Sequence, residues 1–392
     1  MAAEASEVRQ GRPGLPGAGV VATFFRRVVA DLVGIPFDST EPERHLAEAE
    51  AWLVRAHDVS PDGGVSYGYS LRGGWRPSYR ETSGYIVPTF FRLAQHRQRP
   101  EYRERGLSIA RWLMGVQNAD GSFNNPRFGP KGIVFDTGQG LFGLLAAFEQ
   151  SGDERFLGAA RRAGDWLVAV ADSERRWTKH VYLGVPHVYN TRTAWALSEL
   201  HALEPSRSYE RIARANLDYA LERERGGYFV DCGFRPGTPA PTHTIAYTIR
   251  GLQEAGRLLG DARYLGAAER AARAMLRHLR SDGFLPGEID ERGREAARFC
   301  CLTGNCQLGV IWAKFHQSNG DAAFRRAALR SLQYVMGRQD IETSDLDVRG
   351  AIKGSHPIWG RYAPFSYPNW ATKFFIDALL ATLPWSASES PS

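Results

Sequence analysis

Apolar residues recur along this chain in two alternating kinds of helical segment. In the first kind they run nearly all round the helix. Such stretches open at Glu81-Thr82 (ETSGYIVPTFFRLA), Asp136-Thr137 (DTGQGLFGLLAAFE), Asn190-Thr191 (NTRTAWALSEL), His243-Thr244 (HTIAYTIRGLQEA) and Leu302-Thr303 (LTGNCQLGVIWAKF), and a sixth opens near Asn369 (NWATKFFIDALL). A helix apolar on every side has to be buried on every side. The second kind occupies 44–57, 101–118, 154–173, 208–223, 262–280 and 321–338, with Arg and Glu confined to one face, as in AERAARAMLRHLR. These stretches have the period of a helix with one wet side.

The connections alternate as well. SGDERFLGAA from Ser151, LGDARYLGAA from Leu259 and NGDAAFRRAA from Asn319 share one wording. Gly ends one helix and Asp caps the next, so each phrase predicts a tight turn from a buried helix to an amphipathic one. Connections in the other direction are longer and carry Gly near an aromatic or apolar residue: Asp62-Gly-Gly-Val, Asp120-Gly-Ser-Phe, Gly226-Gly-Tyr-Phe, Asp282-Gly-Phe-Leu and Arg349-Gly-Ala-Ile. The Thr residues 82, 137, 191 and 244 stand 55, 54 and 53 positions apart. Six inner and six outer helices in alternation predict an all-α fold, an (α/α)6 barrel or six-hairpin toroid with its long loops on one rim. The expected boundaries are a tail over 1–17, one toroid domain over 18–384 and a second tail over 385–392.

Composition narrows the reading. Of 392 residues, 43% are hydrophobic and 23% charged, with a formal net charge of +6. The arginines are scattered, which excludes a nucleic-acid-binding tail and is compatible with an acidic small molecule or polysaccharide. No apolar run is long enough to cross a membrane, and Arg26, Arg27 and Asp31 interrupt the stretch 19–35, so no membrane insertion is expected. Four cysteines, three crowded at Cys300, Cys301 and Cys306, do not form a disulfide framework, and a cytoplasmic setting is expected.

Long loops on a rigid scaffold carry function, and here they share a rim with the openings of the inner helices. The residue before each helix-opening Thr is Glu81, Asp136, Asn190 or His243. Capping is the plain explanation, but Glu and His cap poorly. In a toroid these positions face the central cavity, where converging helix N-termini attract anions. The candidate catalytic residues are therefore Glu81, Asp136, His243 and Tyr189. The same loops supply candidate substrate-binding groups: Trp75, Arg76, Tyr79, His187, Asn190, Arg192, Glu288, Lys353, His356, Trp359, Tyr367 and Trp370. Loop aromatics beside polar groups suit sugar rings, burying their C–H faces while hydroxyls bond to neighbours.

Cys301, Cys306 and His243 could together hold zinc, but no CxxC or HExxH spacing supports a metal. Buried free thiols on packed helices are the commoner arrangement, so no metal and no cofactor are expected.

The segments ETSGYIVPTF, FDTGQGLFGLLAAFE, YNTRTAWAL, THTIAYTIRGL, CLTGNCQLGVIW and GAIKGSHPIWGRYAPFSYPNWATKFF resemble the VpsJ-like polysaccharide-biosynthesis proteins over roughly residues 40–383. That resemblance implies a six-hairpin toroid associated with exopolysaccharide gene clusters, and it implies no particular reaction. Related toroids include inverting glycoside hydrolases, unsaturated glucuronyl hydrolases, polysaccharide lyases and sugar epimerases, among which fold alone does not choose. Gln117–Phe123 (QNADGSF) also resembles the QxxDGSW repeat of terpene cyclases, but the DxDD acid is absent.

The expected function is a carbohydrate-active enzyme on an acidic oligo- or polysaccharide, most simply an inverting hydrolase using Glu81 and Asp136. Inverting carboxyls stand about 6.5–9.5 Å apart, within reach of neighbouring helices packed at about 8–10 Å. A uronate lyase or epimerase would instead take Tyr189, Tyr79 or His243 as base and Asn190 or Arg192 to neutralise the carboxylate. A glycan-binding or scaffold protein of a polysaccharide assembly system is the non-enzymatic alternative.

Overall fold

A computed structural model of the chain describes residues 18–34 and 36–386. The expected tail over 1–17 and residues 387–392 lie outside the described residues. Thirteen helices are described: α1 (Ala18–Val33), α2 (Pro42–Asp58), α3 (Arg80–Arg97), α4 (Pro100–Val116), α5 (Val134–Ser151), α6 (Glu154–Ala169), α7 (Thr191–Leu203), α8 (Arg207–Glu222), α9 (Thr242–Leu258), α10 (Ala262–Leu276), α11 (Leu302–Asn319), α12 (Ala322–Met336) and α13 (Asn369–Ser386). The odd-numbered helices from α3 to α13 form the inner ring. Each packs on its neighbours, and α13 closes the ring against α3. The even-numbered helices from α2 to α12 form the outer ring.

Burial follows the two patterns. Every residue of α11 from Leu302 to Ala313 is buried, whereas α10 buries only the face carrying Tyr264, Ala267, Ala268, Ala271, Ala272, Ala274 and Met275. Neighbouring inner helices touch backbone to backbone. A Cβ added at Gly84 of α3 would lie 2.3 Å from the Gln139 carbonyl oxygen of α5, and one at Gly251 of α9 would lie 2.4 Å from the Thr191 carbonyl carbon of α7. At these two positions the contacts admit no side chain.

The tight turns form as their wording predicts. Gly152 and Gly320 take φ of 68° and 73°, and Asp153, Asp261 and Asp321 each accept the backbone N–H two residues on, at 3.0, 3.0 and 2.7 Å. Asp321→Ala should therefore cost about 1 kcal/mol, read as a fall in the urea midpoint. Asp321→Asn keeps the cap acceptor and should recover most of it. An unchanged midpoint in the alanine variant would show that the cap contributes nothing.

Two outer helices end four residues before their expected limits, α6 at Ala169 rather than 173 and α10 at Leu276 rather than 280. After α10 the chain must reverse, with Arg280 N–H bonding Phe284 O at 3.0 Å, so the apolar pattern outlasts the helix. The last helix instead runs two residues past the expected domain end at 384, and Trp385 packs edge-on against His316 with ring centroids 5.0 Å apart.

The long loops return to the inner ring by a repeated device. Asp62, Asp120 and Asp282 accept the N–H two residues on, at 3.1, 3.0 and 2.9 Å, around glycines of positive φ. The loop backbone then docks on a hydroxyl in the first turn of an inner helix. Val65 N–H bonds Ser83 Oγ, Phe123 N–H bonds Thr137 Oγ1 and Ile352 N–H bonds Thr372 Oγ1, each at 3.0 Å. Short antiparallel strands tie the loops together, notably Gly68–Ser70 between Gly74–Trp75 and Ser366–Pro368. Asn369 fastens the ring at its seam, its Nδ2 donating to Ser66 O at 2.7 Å and to Thr82 Oγ1 at 2.8 Å.

Helix α1 lies outside the six pairs. The Phe24 ring stacks on Phe365 at 5.2 Å, and Asp31 pairs with Lys353 while accepting the Ile358 N–H at 2.6 Å. Burial opposes the Asp31 charge, but His356 and Lys353 outweigh it and hold the carboxyl at about 2.

Candidate active site at the mouth of the toroid

The N-termini of α3, α5, α7 and α9 bring Glu81, Asp136, Asn190 and His243 into one pocket, together with His187, Tyr189 and Phe234. A second pocket adjoins it and shares Glu81, Phe234, His243 and Tyr247. It adds Tyr67, Tyr79, Asn125, Arg127, Phe128, Tyr362 and Trp370. None of the four opening residues caps its helix. The adjacent threonines do not cap in their place: Thr137 Oγ1 donates back to Ile133 O at 2.8 Å and Thr244 Oγ1 to Pro241 O at 2.9 Å. The four polar side chains are thus free of the plain structural duty that sequence alone allows them.

Burial governs the electrostatics. It raises the Glu81 carboxyl, while a hydrogen bond from Tyr79 Oη and the nearby Arg192 charge work in the opposite direction. Asp136 is 1% exposed and is raised further, first by burial and then by the Glu81 charge. The buried atoms Asp136 Oδ2 and Asn190 Oδ1 have no hydrogen-bond partner among the described residues. Burial, together with the charge of a neighbouring carboxyl, opposes ionising both members of the pair at once.

His243 is held near 3, mainly by burial, so its imidazole is neutral at any ordinary pH. Its Nδ1 lies 3.2 Å from Gln307 Oε1. With that oxygen accepting, Nε2 is left as an acceptor. Burial also raises the phenols of Tyr79 and Tyr189, which keep their protons. The His187 ring stacks on Tyr189 at 4.6 Å, and its Nε2 lies 2.7 Å from Tyr182 O, which fixes that wall of the pocket.

The other candidates are placed differently. Tyr79 and Trp370 line the second pocket, and Trp370 Nε1 donates to Tyr362 Oη at 2.8 Å. Arg192 runs down the bore to a cavity at the opposite end. Trp75 packs on Trp52 at 5.3 Å and donates to Asp347 Oδ1 at 2.9 Å. Glu288 pairs with Arg361, and Lys353 and His356 hold Asp31 of α1. Tyr367 pairs with Tyr69 across the small sheet, Arg76 N–H bonds Gly68 O at 3.1 Å, and Trp359 is 39% exposed. None of these last seven lines either mouth pocket.

Sequence reasoning passed over Tyr85 and Tyr247, which form the floor. Each sits four positions after a helix-opening residue, Glu81 or His243, and so lies one turn deeper on the same face. That spacing was available to find them. Tyr67 and Asn125 carry no such signal, because loop geometry alone brings them in. Arg127, over the Tyr67 ring at 5.4 Å, is the cation among the described residues lining these pockets.

Among the described residues no group of three His, Cys, Asp or Glu side chains is arranged to hold a metal. Cys301 Sγ accepts the Gly304 N–H at 3.4 Å, and burial raises the Cys301 and Cys306 thiols.

The elevated Asp136 carboxyl has a measurable consequence. A carboxyl raised on folding contributes stability that is full below its ordinary value of 3.8 and is lost as pH climbs through the raised value. The stability of Asp136→Asn relative to wild type should therefore increase from acid to mildly alkaline pH, read from paired thermal melts. A difference that stayed flat with pH would contradict the assignment.

No family profile matches the chain, and no curated protein matches it. Solved structures do. An unsaturated glucuronyl hydrolase from Bacillus sp. GL1, responsible for the degradation of glycosaminoglycan, is 16% identical with a TM-score of 0.69, covering 87% of this chain and 96% of that one. An unsaturated glucuronyl hydrolase specific for heparin gives 13% identity and a TM-score of 0.70 over 88% and 98%. Cellobiose 2-epimerase from Bacillus thermoamylovorans B4167 gives 12% and 0.63 over 91% and 99%. At these identities the likeness establishes the fold, and the chain is a six-hairpin (α/α)6 toroid of the architecture these carbohydrate enzymes share.

Proposed function

We propose that the protein is a carbohydrate-active enzyme that cleaves a glycosidic bond of an acidic oligo- or polysaccharide at this mouth, with Asp136 as general acid and Glu81 as general base. The observation that carries this reading is the pair of buried carboxyls on adjacent inner helices, with Asp136 Oδ2 unpartnered in the pocket. Asp136, the more strongly raised, protonates the leaving oxygen. Glu81, whose charge the Tyr79 hydroxyl favours, takes a proton from the attacking water. Tyr67, Tyr79 and Trp370 offer ring faces to a sugar, and Arg127 with the helix N-termini favours an acidic one. The toroidal likeness to glucuronyl hydrolases supports the same reading, and the resemblance to VpsJ-like proteins supports a role in making or trimming an exopolysaccharide.

A second reading rests on His243. A neutral imidazole with Nε2 free beside two carboxyls could shuttle a proton in an epimerase, an activity named for one of the similar structures. The phenols favour a lyase less, since Tyr79 and Tyr189 are both held protonated. Screening acidic oligosaccharides separates these chemistries. New reducing ends without 4,5-unsaturated absorbance support hydrolysis, and both signals together mean a lyase. Isomerised sugar with neither signal means an epimerase, and binding without turnover means a glycan-binding protein.

A further inference from the structure

A cavity of about 800 Å³, far larger than either mouth pocket, lies at the other end of the bore. All six inner helices line it, contributing among others Tyr85, Phe142, Arg192, Tyr247, Gln307 and Lys373. Its volume falls in the range of small-molecule sites, about 300–1,000 Å³. Tyr85 and Tyr247 border both this cavity and the mouth, so they form a partition across the bore.

The cations of this cavity are unevenly matched. Arg92 and Lys373 pair with Asp377 at 2.9 and 2.7 Å, while outside the lining Lys314 pairs with Glu254 at 2.7 Å. Arg192 is only 4% exposed, and no carboxylate among the described residues pairs with it. Its Nε donates to the neutral Gln139 Oε1 at 2.7 Å. Five rings surround its guanidinium at 4.7–5.6 Å: Tyr85, Phe142, Trp195, Tyr247 and Phe374. Arg250 pairs through Nη2 with Glu254 at 2.8 Å, and its buried Nε and Nη1 have no hydrogen-bond partner among the described residues. Glu199, the carboxyl on α7 beside them, is pushed up to about 8 by burial, which opposes its ionisation. Buried guanidinium N–H groups without acceptors are costly, and an anionic oxygen would relieve that cost.

We propose that this end of the bore is a second ligand site, which binds a sugar bearing a carboxylate or phosphate between Arg192 and Arg250, its ring against the aromatic wall. The cations supply the charge recognition, and Trp195, Phe142 and Phe374 supply ring faces that a bare inorganic anion cannot use. The site is independent of what the mouth catalyses, because the partition separates the two.

Calorimetry on the full chain with glucuronate, glucose 1-phosphate and inorganic phosphate tests this. At least one sugar anion should bind wild type, and more tightly than inorganic phosphate. Arg250→Met should weaken that binding about tenfold to a hundredfold. Its fold should persist, because Lys314 and Arg257 still compensate Glu254. Ala146→Trp fills the cavity edge without removing a polar group and should abolish binding, while leaving any turnover at the mouth unchanged. If either variant melts far below wild type, a crystal structure of wild type with the bound sugar decides, with density expected between the two guanidinium groups. Failure of every anion to bind overturns the proposal. So do variants that bind like wild type, inorganic phosphate binding as tightly as the sugar anions, or density at the mouth alone.

Discussion

Asp136→Asn will lose turnover by about a hundredfold to ten-thousandfold on an unactivated glycoside, while its affinity for the same oligosaccharide stays within a few-fold of wild type. The amide fills the same space beside Glu81 but has no proton to give to a leaving oxygen. An activated aryl glycoside needs no such proton, so the variant should recover on that substrate. Glu81→Gln should lose a comparable factor on both substrates, because water activation is needed in either case. The pH dependence of kcat/KM should divide along the same line. If the proposed roles hold, the wild-type acidic limb should report Glu81 ionising and the alkaline limb Asp136 losing its proton. Each variant should lose its own limb. A purely structural role for either carboxyl would lower activity without moving a limb or distinguishing the two substrates. Equal losses on both substrates in Asp136→Asn would remove it as the acid.

Gly84→Val should be strongly destabilising, costing about 1–3 kcal/mol or more. The new Cβ would meet the Gln139 carbonyl oxygen at 2.3 Å. Backbone cannot step aside as a side chain does, and α3 and α5 belong to a closed ring. A shift of either helix therefore has to be absorbed at the seam where Asn369 bonds Thr82. Gly158→Ala on outer helix α6 is the control. Nothing lies within 4 Å of a Cβ there, and replacing a helical glycine by alanine should stabilise by about 0.5–1 kcal/mol. Denaturant midpoints moving in opposite directions for the two variants would support close helix approach as the device that sets the bore. Similar small shifts in both would refute it.

The mouth was legible in the sequence to the extent that its residues sit at a fixed phase of the repeat. Glu81, Asp136, Asn190 and His243 all stand one place before a threonine, and the structure gathers all four into one pocket. Only Thr191 opens its helix as expected; α3, α5 and α9 start two or three residues earlier than Thr82, Thr137 and Thr244. Their capping alternative could be settled only by seeing where the hydroxyls point, and Thr137 and Thr244 turn back to preceding carbonyls. The loop candidates were less legible. Lys353, His356 and Glu288 have the right chemistry on the right rim, yet each is occupied by a partner distant in sequence: Asp31 for the first two and Arg361 for the third. Arg192 stands two positions after Asn190, and its long side chain runs the other way into a ring of aromatics.

By itself the sequence determined the class of fold, the alternation of inner and outer helices, the capped turns and the rim on which the polar helix openings meet. These follow from local rules, since hydrophobic period, Gly and Asp at turns and repeat spacing act within a few residues of one another. Only the tertiary structure decided that burial raises both mouth carboxyls, which loop cations are already paired, and that a large cavity lies at the far end of the bore. Those properties depend on burial and on contacts between residues as far apart as Asp31 and Lys353. Desolvation and Coulomb terms are set by the surroundings of a group in space, which its neighbours in sequence do not specify.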